Sequence, residues 1–403
     1  MSRIIPFPHV TRPPVHGILF VHPEPEPRFV PFPFVRAVIG RDPASAVPLQ
    51  GRAVSWHHAE LQAKDEHTTV RDLDSTNGVQ VEGKRISQAR LDEGNLLRIG
   101  DFLGVVTDGP WPDDVDENLP AARAIGLLVG PAMSVALVSF TRAILAPAVL
   151  AIEGETGTGK SLVARLANAT INGPEAPFVA VDCAGWDANA DLAALVEHAR
   201  NGSLYLRNFT ALAPMSQTRL FAAIEELRAA RVTLIAGTQE PIDQALERGD
   251  LLPPLAAAFS KQTVRVPAVR NRRVEIPGLF RQLIAHHGQG RRPAISTDLI
   301  ERLCLYDWPC NVRELSLLAQ RLIALHGDET RLRMEHLPAH LTPSDREDTT
   351  LPVAPVAGVN LNKLLDAVRE AGGNIASAAL RLGISRERAY RLIDRLGVVR
   401  SSS

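Results

Sequence analysis

The feature that most restricts the fold of this chain is a glycine-rich turn between an apolar strand and a helix. Residues 154–161 read GETGTGKS; the run AVLAIEG leads into them, and SLVARLANA opens the next helix. In this context backbone N–H groups close around phosphate, the lysine reaches the terminal phosphates, and the serine can bind Mg²⁺. A chance match to so short a pattern is the alternative, which the flanking strand and helix disfavour. The pattern predicts an α/β domain that binds nucleotide through Gly154, Thr156, Gly157, Thr158, Gly159, Lys160 and Ser161.

Composition limits the classes of protein to consider. The 403 residues suffice for two or three domains, and 44 Lys and Arg against 45 Asp and Glu give a formal net charge of −1. A charge so close to zero excludes a global attraction to nucleic acid or to a membrane surface, so any basic patch must be local. Cys183, Cys304 and Cys310 lack metal-ligand spacing, which favours reduced thiols in the cytoplasm and no bound metal.

Neither secretion nor membrane insertion is expected. The N-terminal MSRIIPFPHV lacks the charged start and apolar core of a signal peptide. The most apolar window, residues 127–152, is long enough to span a bilayer, but Pro131, Arg142 and Pro147 interrupt it. We therefore expect a core helix followed by a strand, in a cytoplasmic protein without a membrane partner.

The pattern of apolar and polar residues changes twice along the chain, which predicts three domains joined by two linkers. Short apolar runs alternating with turn residues are typical of an all-β sandwich, helices alternating with strands indicate an α/β domain, and the last part is all-α. Polar, proline-rich stretches separate the three. The predicted boundaries are 15–108 for the sandwich, 109–122 for the first linker, 123–342 for the α/β domain, 343–358 for the second linker and 359–403 for the all-α domain.

Polar residues of the sandwich gather in three loops, GRD at 40–42, SWHHA at 55–59 and DLDSTNG at 72–78. In this order they resemble forkhead-associated (FHA) domains, which are phosphothreonine-binding sandwiches. A guanidinium can fork onto phosphate oxygens, and short hydroxyl and amide side chains complete the hydrogen bonds. The alternative is a purely structural sandwich, with a hairpin turn at Asn77-Gly78. The resemblance implies a loop-bracing role for His58 and a phosphate pocket lined by Arg41, Ser55, Thr76 and Asn77.

Motifs along residues 123–342 resemble the AAA+ domain of sigma-54-dependent activators, the bacterial enhancer-binding proteins. The stretches GETGTGKSLVARLAN, APFVAVDCA, RVTLIAGTQE, VRNRRVEIPGL and YDWPCNVREL follow that family's order. The resemblance implies a helical lid from about residue 275 to 342. It also implies that Arg313, in WPCNVREL, is the second sensor and contacts the nucleotide from that lid.

The parts that hydrolyse ATP in that family are replaced in this chain. GSLYLRNF carries Arg207 and Asn208 where the family has an Asp-Glu pair that handles Mg²⁺ and polarises water. An asparagine has no carboxylate to orient or deprotonate water, and an arginine repels a divalent cation. The positions of the family's arginine fingers fall on Leu252 and Ala258, and its sensor asparagine becomes Gln239.

These replacements predict a domain that has no catalytic residues and does not hydrolyse ATP. It can still hold ATP or ADP, with little need for Mg²⁺. The segment from Asp182 to Gly202 is too short for the family's GAFTGA loop, so contact with sigma-54 is not expected. The alternative is an active ATP-dependent sigma-54 activator, in which Asp187 or Asp191 replaces the missing pair.

Residues 372–398, GGNIASAALRLGISRERAYRLIDRLGV, resemble the Fis-like helix-turn-helix that ends most of these activators. Eight Lys and Arg against four Asp and Glu over 361–403 supply the local positive charge that DNA binding requires. The alternative is a solvated helix face in a dimerisation bundle. The DNA contacts are expected from Ser385, Arg386, Arg388, Tyr390 and Arg391. Apolar residues at helical spacing predict a homodimer or higher oligomer: Leu361, Leu364, Leu365 and Val368.

Together these patterns predict a cytoplasmic bacterial transcription regulator with an FHA input, an AAA+-derived middle domain and a helix-turn-helix output. Its expected partners are double-stranded DNA, a phosphothreonine protein from a Ser/Thr kinase pathway and a second copy of the chain. Besides the active activator, one further alternative is a scaffold that binds phosphoproteins and uses the helix-turn-helix only for dimerisation.

Overall fold

A computed structural model gives the architecture of the chain. The chain divides into two compact units, residues 1–342 and 343–403. The second unit contains one described residue, Arg369, so the predicted helix-turn-helix otherwise lies outside the described residues. In the first unit the structure describes residues 17–23, 26–32, 36–64, 67–107, 125–143, 149–186 and 191–341.

The N-terminal region is a sandwich of two β-sheets, as predicted. Its strands are β1 (Gly17–His22), β2 (Arg28–Pro31), β3 (Arg36–Gly40), β4 (Val47–Pro48), β5 (Ala59–Lys64), β6 (His67–Asp72), β7 (Val79–Val81), β8 (Lys84–Ile86), β9 (Gln88–Leu91), β10 (Leu96–Ile99) and β11 (Phe102–Thr107). One sheet has the order β2-β1-β11-β10-β7-β8, and the other has the order β4-β3-β5-β6-β9. Apolar side chains from both sheets, including Ile18, Ile39 and Leu61, fill the space between them.

The middle region is an α/β domain around a five-stranded parallel sheet of order β13-β14-β15-β12-β16. The interior strand β12 is buried at every position, and its first four residues are a continuous apolar run, as in strands covered on both faces. The strands are β12 (Val149–Glu153), β13 (Phe178–Asp182), β14 (Ser203–Arg207), β15 (Thr233–Thr238) and β16 (Thr263–Arg265). The helices are α1 (Pro131–Ala143), α2 (Lys160–Asn172), α3 (Leu192–His198), α4 (Pro214–Ala222), α5 (Ile224–Ala229), α6 (Ile242–Glu247) and α7 (Pro253–Phe259).

Within the apolar window of residues 127–152, the described residues include helix α1 and most of strand β12, which fits the expected core helix followed by a strand. Among the described residues, no helix is both long and apolar enough to cross a bilayer.

A helical lid follows the sheet. It consists of the helices α8 (Ile276–His287), α9 (Thr297–Leu305) and α10 (Asn311–His326), with the short parallel strands β17 (Ala294–Ile295) and β18 (Arg331–Leu332). Trp308 is fully buried between α9 and α10, and its indole Nε1 donates to the Leu303 carbonyl at 2.8 Å. This large side chain fixes the turn that leads into α10.

The sandwich packs directly on the lid. All six residues of β1 are buried, because Ile18 and Phe20 face the sandwich interior while Leu19 and Val21 face the other way. Leu19 and Val21 join Leu96, Leu103 and Val105 in a core shared with lid residues such as Phe280, Leu299 and Leu303. Where β1, β10 and β11 meet the lid, the outer face of the six-stranded sheet is therefore buried inside the protein.

Candidate functional site

The glycine-rich turn lies between β12 and α2, and two of its glycines adopt backbone angles that other residues avoid. Gly157 has a φ of 78° and Gly159 a φ of 106°. A side chain at Gly157 would also collide with the lid, because a Cβ built there lies 2.1 Å from the Cys310 carbonyl oxygen. The backbones of the turn and the lid touch at this point, and only glycine leaves the room.

Lys160, the first residue of α2, directs its ammonium group into the turn. The Nζ atom donates to the carbonyl oxygens of Gly154 at 2.6 Å and Glu155 at 2.9 Å. Burial and, next, the positive charge of Arg313 on α10 lower the pKa of Lys160 to about 8. An anion beside these two cations would relieve their repulsion and replace the water that burial removes, so this corner suits a phosphate group.

Ser161, the next residue of α2, lies near the hydroxyl of Tyr205 on β14. Tyr205 is almost completely buried, and this burial raises the pKa of its phenol. The phenol of the central sheet therefore lies close to the serine at the base of the turn.

The lid holds the other side of the turn through Asn311 and Arg270. Asn311 is fully buried, and its Nδ2 donates to the Glu155 carboxylate at 3.1 Å and to the Thr156 carbonyl at 3.0 Å. Its Oδ1 accepts from the Val269 backbone at 2.8 Å. The guanidinium of Arg270 pairs with Glu155 through both terminal nitrogens and is the largest cause of the lowered pKa of that carboxyl.

The carboxyl ends of β13, β14 and β15 meet beside the turn, at the edge where ligands of such sheets bind. Asp182 ends β13 and lies opposite Arg207, which ends β14. The Asn208 amide donates to the Asp182 carboxylate at 2.9 Å, and Arg207 Nη2 lies 3.8 Å from its other oxygen. Gln239 in turn donates to the Asn208 amide oxygen at 3.4 Å. The hydrogen bond from Asn208 is the main cause of the lowered pKa of Asp182, so this carboxylate is a weakened base.

A second polar site lies at one end of the sandwich, where three loops converge. The backbone N–H of Arg41 donates to the Ser55 carbonyl at 2.9 Å, and the Ser55 hydroxyl accepts from the Thr76 backbone at 3.1 Å. The Asn77 side chain donates to the Ala53 carbonyl at 2.7 Å. The side chains of Arg41, Thr76 and Asn77 are exposed, so cationic, hydroxyl and amide donors are available to solvent.

His58 braces the loops of this second site from below. It is fully buried; its Nδ1 accepts from the Ser55 backbone at 3.0 Å, and its Nε2 lies 3.1 Å from the Gly78 carbonyl. An Nδ1 that accepts carries no proton, so the proton is on Nε2 and is donated to Gly78. Burial lowers the pKa of His58, which keeps the ring in this neutral form.

Each of the two sites lies in a region that matches a known domain family. Residues 37–100 match the FHA domain, residues 141–269 match the sigma-54 interaction domain, and residues 270–352 match the AAA+ ATPase lid domain. The chain joins an FHA domain to a sigma-54 interaction domain and its AAA+ lid. The resemblances to FHA domains and to the AAA+ domain of sigma-54-dependent activators are confirmed, and the resemblance of residues 372–398 to a Fis-like helix-turn-helix stays a prediction.

Relatives of the chain are transcriptional regulators. It is 28% identical over 310 residues to the transcriptional regulatory protein ZraR of Klebsiella oxytoca, which covers 68% of this chain and 70% of the relative. It is 29% identical over 278 residues to the Nif-specific regulatory protein of Azotobacter vinelandii, covering 59% of this chain and 52% of that one. The crystal structure of NtrX from Brucella abortus in complex with ATP covers 71% of this chain and 73% of its own, at 24% identity and a TM-score of 0.47.

The two positions aligned with the arginine fingers of the family lie at either end of the sigma-54 interaction domain's helix α7. Leu252 precedes the helix, and its backbone N–H donates to the Gln217 side chain at 2.8 Å. Leu252 and Ala258 are both partly buried against the core of the domain. They serve packing, and α7 offers apolar side chains where a finger would extend.

Three residues of the site were not predicted from the sequence: Asp182, Arg270 and Asn311. The carboxylate at the strand edge comes from Asp182, whereas Asp191 caps helix α3 by accepting from the Ala194 backbone at 3.1 Å; Asp187 lies outside the described residues. Arg270 and Asn311 lie within quoted motifs, but nothing in their spacing predicts the contacts with the turn. The sequence feature that could have indicated these contacts is the run of arginines in VRNRR, because several arginines in so short a segment indicate several anionic or carbonyl partners nearby.

The predicted DNA-contacting residues, Ser385, Arg386, Arg388, Tyr390 and Arg391, lie outside the described residues. In the part of the chain that is described, no cluster of three or more His, Cys, Asp or Glu side chains could hold a metal ion.

Proposed function

We propose that this chain is a DNA-binding transcriptional regulator that reads a phosphothreonine protein through its FHA domain and holds a nucleotide that it does not hydrolyse. The observation that carries the proposal is the strand edge beside an intact phosphate-binding turn. There Asp182 is engaged by Asn208 and lies near Arg207, while Glu155 is engaged by Arg270 and Asn311. These contacts lower the pKa of both carboxyls, which makes each carboxylate a weaker base for deprotonating water.

Nucleotide binding is supported by the turn itself. Lys160 and Arg313 place positive charge beside backbone N–H groups that Gly157 and Gly159 leave open to an anion. The proposed nucleotide contacts are Gly154, Thr156, Gly157, Thr158, Gly159, Lys160, Ser161 and Arg313, with ATP or ADP as the ligand. Because Arg207 adds a further positive charge at the strand edge, Mg²⁺ should contribute little to the affinity.

The decisive experiment compares ATP binding with ATP turnover in the full chain, with Mg²⁺ and with EDTA. We expect saturable binding in both conditions and release of phosphate no faster than in a blank without protein. Turnover that depends on Mg²⁺ would overturn the proposal and favour an active ATP-dependent activator.

Contact with sigma-54 is not part of the proposed function, although residues 141–269 match a domain named for it. Between β13 and β14 the described residues form a 3₁₀ helix, Cys183–Gly185, and the seven-residue helix α3. The segment is too short for the GAFTGA loop with which that family contacts sigma-54. We propose that the helix-turn-helix acts by occupying a promoter as a homodimer or higher oligomer.

Phosphothreonine recognition is supported by the convergence of Arg41, Ser55, Thr76 and Asn77. Trp56 follows the pocket serine and is 54% exposed, so its indole face can pack on a peptide side chain next to the phosphate. A scaffold that binds phosphoproteins would have the same pocket. Retention of specific DNA binding distinguishes the proposed regulator from such a scaffold.

Substituting Ser55→Ala is expected to weaken binding of phosphothreonine peptides by about tenfold or more, since hydrogen bonds to charged groups contribute roughly 1.5–3 kcal/mol. Fluorescence anisotropy with a degenerate phosphothreonine peptide library measures the effect on the full chain. Ser87→Ala removes an exposed hydroxyl of the same domain outside the three loops and serves as the control. Equal binding of the library with unphosphorylated threonine would contradict the pocket.

Substituting Arg388→Ala is expected to weaken DNA binding, because the residue lies on the basic second helix of the predicted helix-turn-helix. Selection of DNA fragments by the wild-type chain provides the sequence for an electrophoretic mobility assay. Arg400→Ala, beyond that helix, is the matched loss of one positive charge. Identical affinities for wild type and Arg388→Ala would show that this arginine makes no DNA contact.

A further inference from the structure

The short segment that joins the sheet to the lid contacts two parts of the molecule. Some of its side chains contact the glycine-rich turn, and another side chain contacts the FHA domain. Arg272 is buried, and its Nη2 donates to the Thr158 carbonyl of the turn at 3.2 Å. The next residue, Arg273, pairs with both carboxylate oxygens of Glu82 at 2.9 and 3.1 Å. Arg270, two residues before Arg272, pairs with Glu155. One short stretch of backbone therefore links an FHA carboxylate to the phosphate-binding turn.

The FHA side of this link is rigid. Glu82 lies between β7 and β8 in a hairpin turn, with a φ of 53°, and its carboxylate also accepts from the Leu96 backbone at 2.7 Å. Next to it, a Cβ built at Gly83 would lie 2.8 Å from the Leu305 side chain of the lid. The hairpin is thus held by its own sheet and pressed against α9, so Glu82 has a fixed position from which to hold Arg273.

The side of the link that faces the turn is equally constrained. Arg272 shares a buried ion pair with Glu275 at 3.5 Å, and Glu275 accepts from the Met133 backbone at the start of α1 at 3.0 Å. The Nε atom of Arg272 has no hydrogen-bond partner in this buried position. Burying the Arg272 guanidinium in this way is unfavourable, so its position depends on the backbone that holds it. Arg273 is the next residue along that backbone.

The remaining contacts hold the FHA domain and the lid in one arrangement. Arg98 pairs with Glu301 at 2.7 Å, and the Glu301 side chain is only 9% exposed. Arg281 donates to the Val21 carbonyl at 3.0 Å, and these bonds surround the shared core beneath β1, β10 and β11. Two domains that share a buried core and several partly buried polar contacts move as one body, which favours a fixed lid.

We propose that Glu82 and Arg273 are positioning residues of the nucleotide site, so that docking of the FHA domain on the lid sets how firmly the phosphate-binding turn is held. The inference rests on the proposed nucleotide binding for only one of its two measurements, the affinity for an ATP analogue. Neither residue contacts the turn; both act through Arg272 and the lid. Strand β7, which leads into the turn that carries Glu82, begins directly after Gly78 of the proposed phosphothreonine loop, and this places the proposed nucleotide site under the control of the FHA domain.

The test measures hydrogen exchange of the amides of residues 154–161 in the full chain without nucleotide, and then affinity for a fluorescent ATP analogue. Glu82→Ala and Arg273→Ala are each expected to speed exchange and weaken ATP binding about fivefold, a typical coupling between sites. The double variant should be no worse than either single one, because the two residues act through one ion pair. Arg273→Lys retains a cation facing Glu82 and should recover most of the effect.

Lys84→Ala, at an exposed position of the same hairpin, is the matched control and should behave as wild type. Circular dichroism and thermal unfolding confirm that each variant folds. Exchange at residues 154–161 that is unchanged in Glu82→Ala overturns the inference. Faster exchange in a chain whose wild type binds no ATP would sustain the positioning role and refute the nucleotide proposal, so the two failures are distinguishable.

Discussion

Replacing Lys160 by alanine is expected to lower the affinity of the full chain for ATP by about 100-fold, since truncating one member of a buried charged pair costs roughly 2–5 kcal/mol. Without nucleotide, the Nζ atom bonds the carbonyls of Gly154 and Glu155 inside the turn, so its cation is already confined where a phosphate would lie. Titration with a fluorescent ATP analogue measures the loss. Lys261→Ala removes an exposed lysine before β16 and should leave the affinity unchanged.

The same lysine makes ATP affinity depend on pH. Its pKa in the free chain is about 8, and a bound phosphate raises it, so binding above pH 8 requires uptake of a proton. Affinity should therefore be greatest below pH 8 and fall as the pH rises through that value. An affinity of Lys160→Ala equal to that of wild type would show that the turn does not hold nucleotide phosphates.

Replacing His22 by glutamine is expected to remove a large part of the loss of stability on acidification. His22 is buried at the end of β1, where burial and then the charges of Arg281, Arg331 and Arg98 lower its pKa from 6.5 to about 4. Between these two values the unfolded chain binds a proton and the folded chain does not. Stability is thus retained above pH 6.5 and falls by about 3 kcal/mol as the pH drops towards 4.

Urea unfolding of the full chain across pH 4–7 measures this dependence. Because carboxylates also titrate in that range, the informative quantity is the difference between wild type and His22→Gln. His57→Gln removes an exposed histidine of the same domain and should keep the wild-type dependence. Equal pH dependence of wild type and His22→Gln would mean that His22 is protonated as easily in the folded chain as in the unfolded one.

The sequence was informative where a local pattern has one physical solution. The GETGTGKS turn requires glycine backbone angles and a following helix, and both are present around Gly157 and Lys160. In the same way, GR, SxxH and STNG predicted loops that meet, and His58 bridges two of them. The replacement of an acidic pair by Arg207 and Asn208 was visible from position along a strand.

Contacts between distant segments could not be predicted in this way. Asp182 lies opposite Arg207 because β13 and β14 pair in parallel register, and that pairing depends on the whole sheet. The continuous apolar run of β1 was consistent with a strand buried on both faces, but it does not say which surface covers the second face.

The sequence by itself determined the glycine-rich turn, the three polar loops of the sandwich, the fold classes of the two described regions and the absence of the acidic pair after β14, because each depends on residues close together in the chain. The tertiary structure decided that the FHA domain and the lid share one core, and that the adjacent residues Arg273 and Arg272 contact Glu82 and the glycine-rich turn respectively. The free energy of such contacts comes from burying surfaces that are far apart in the chain, and no local pattern records which surfaces will meet.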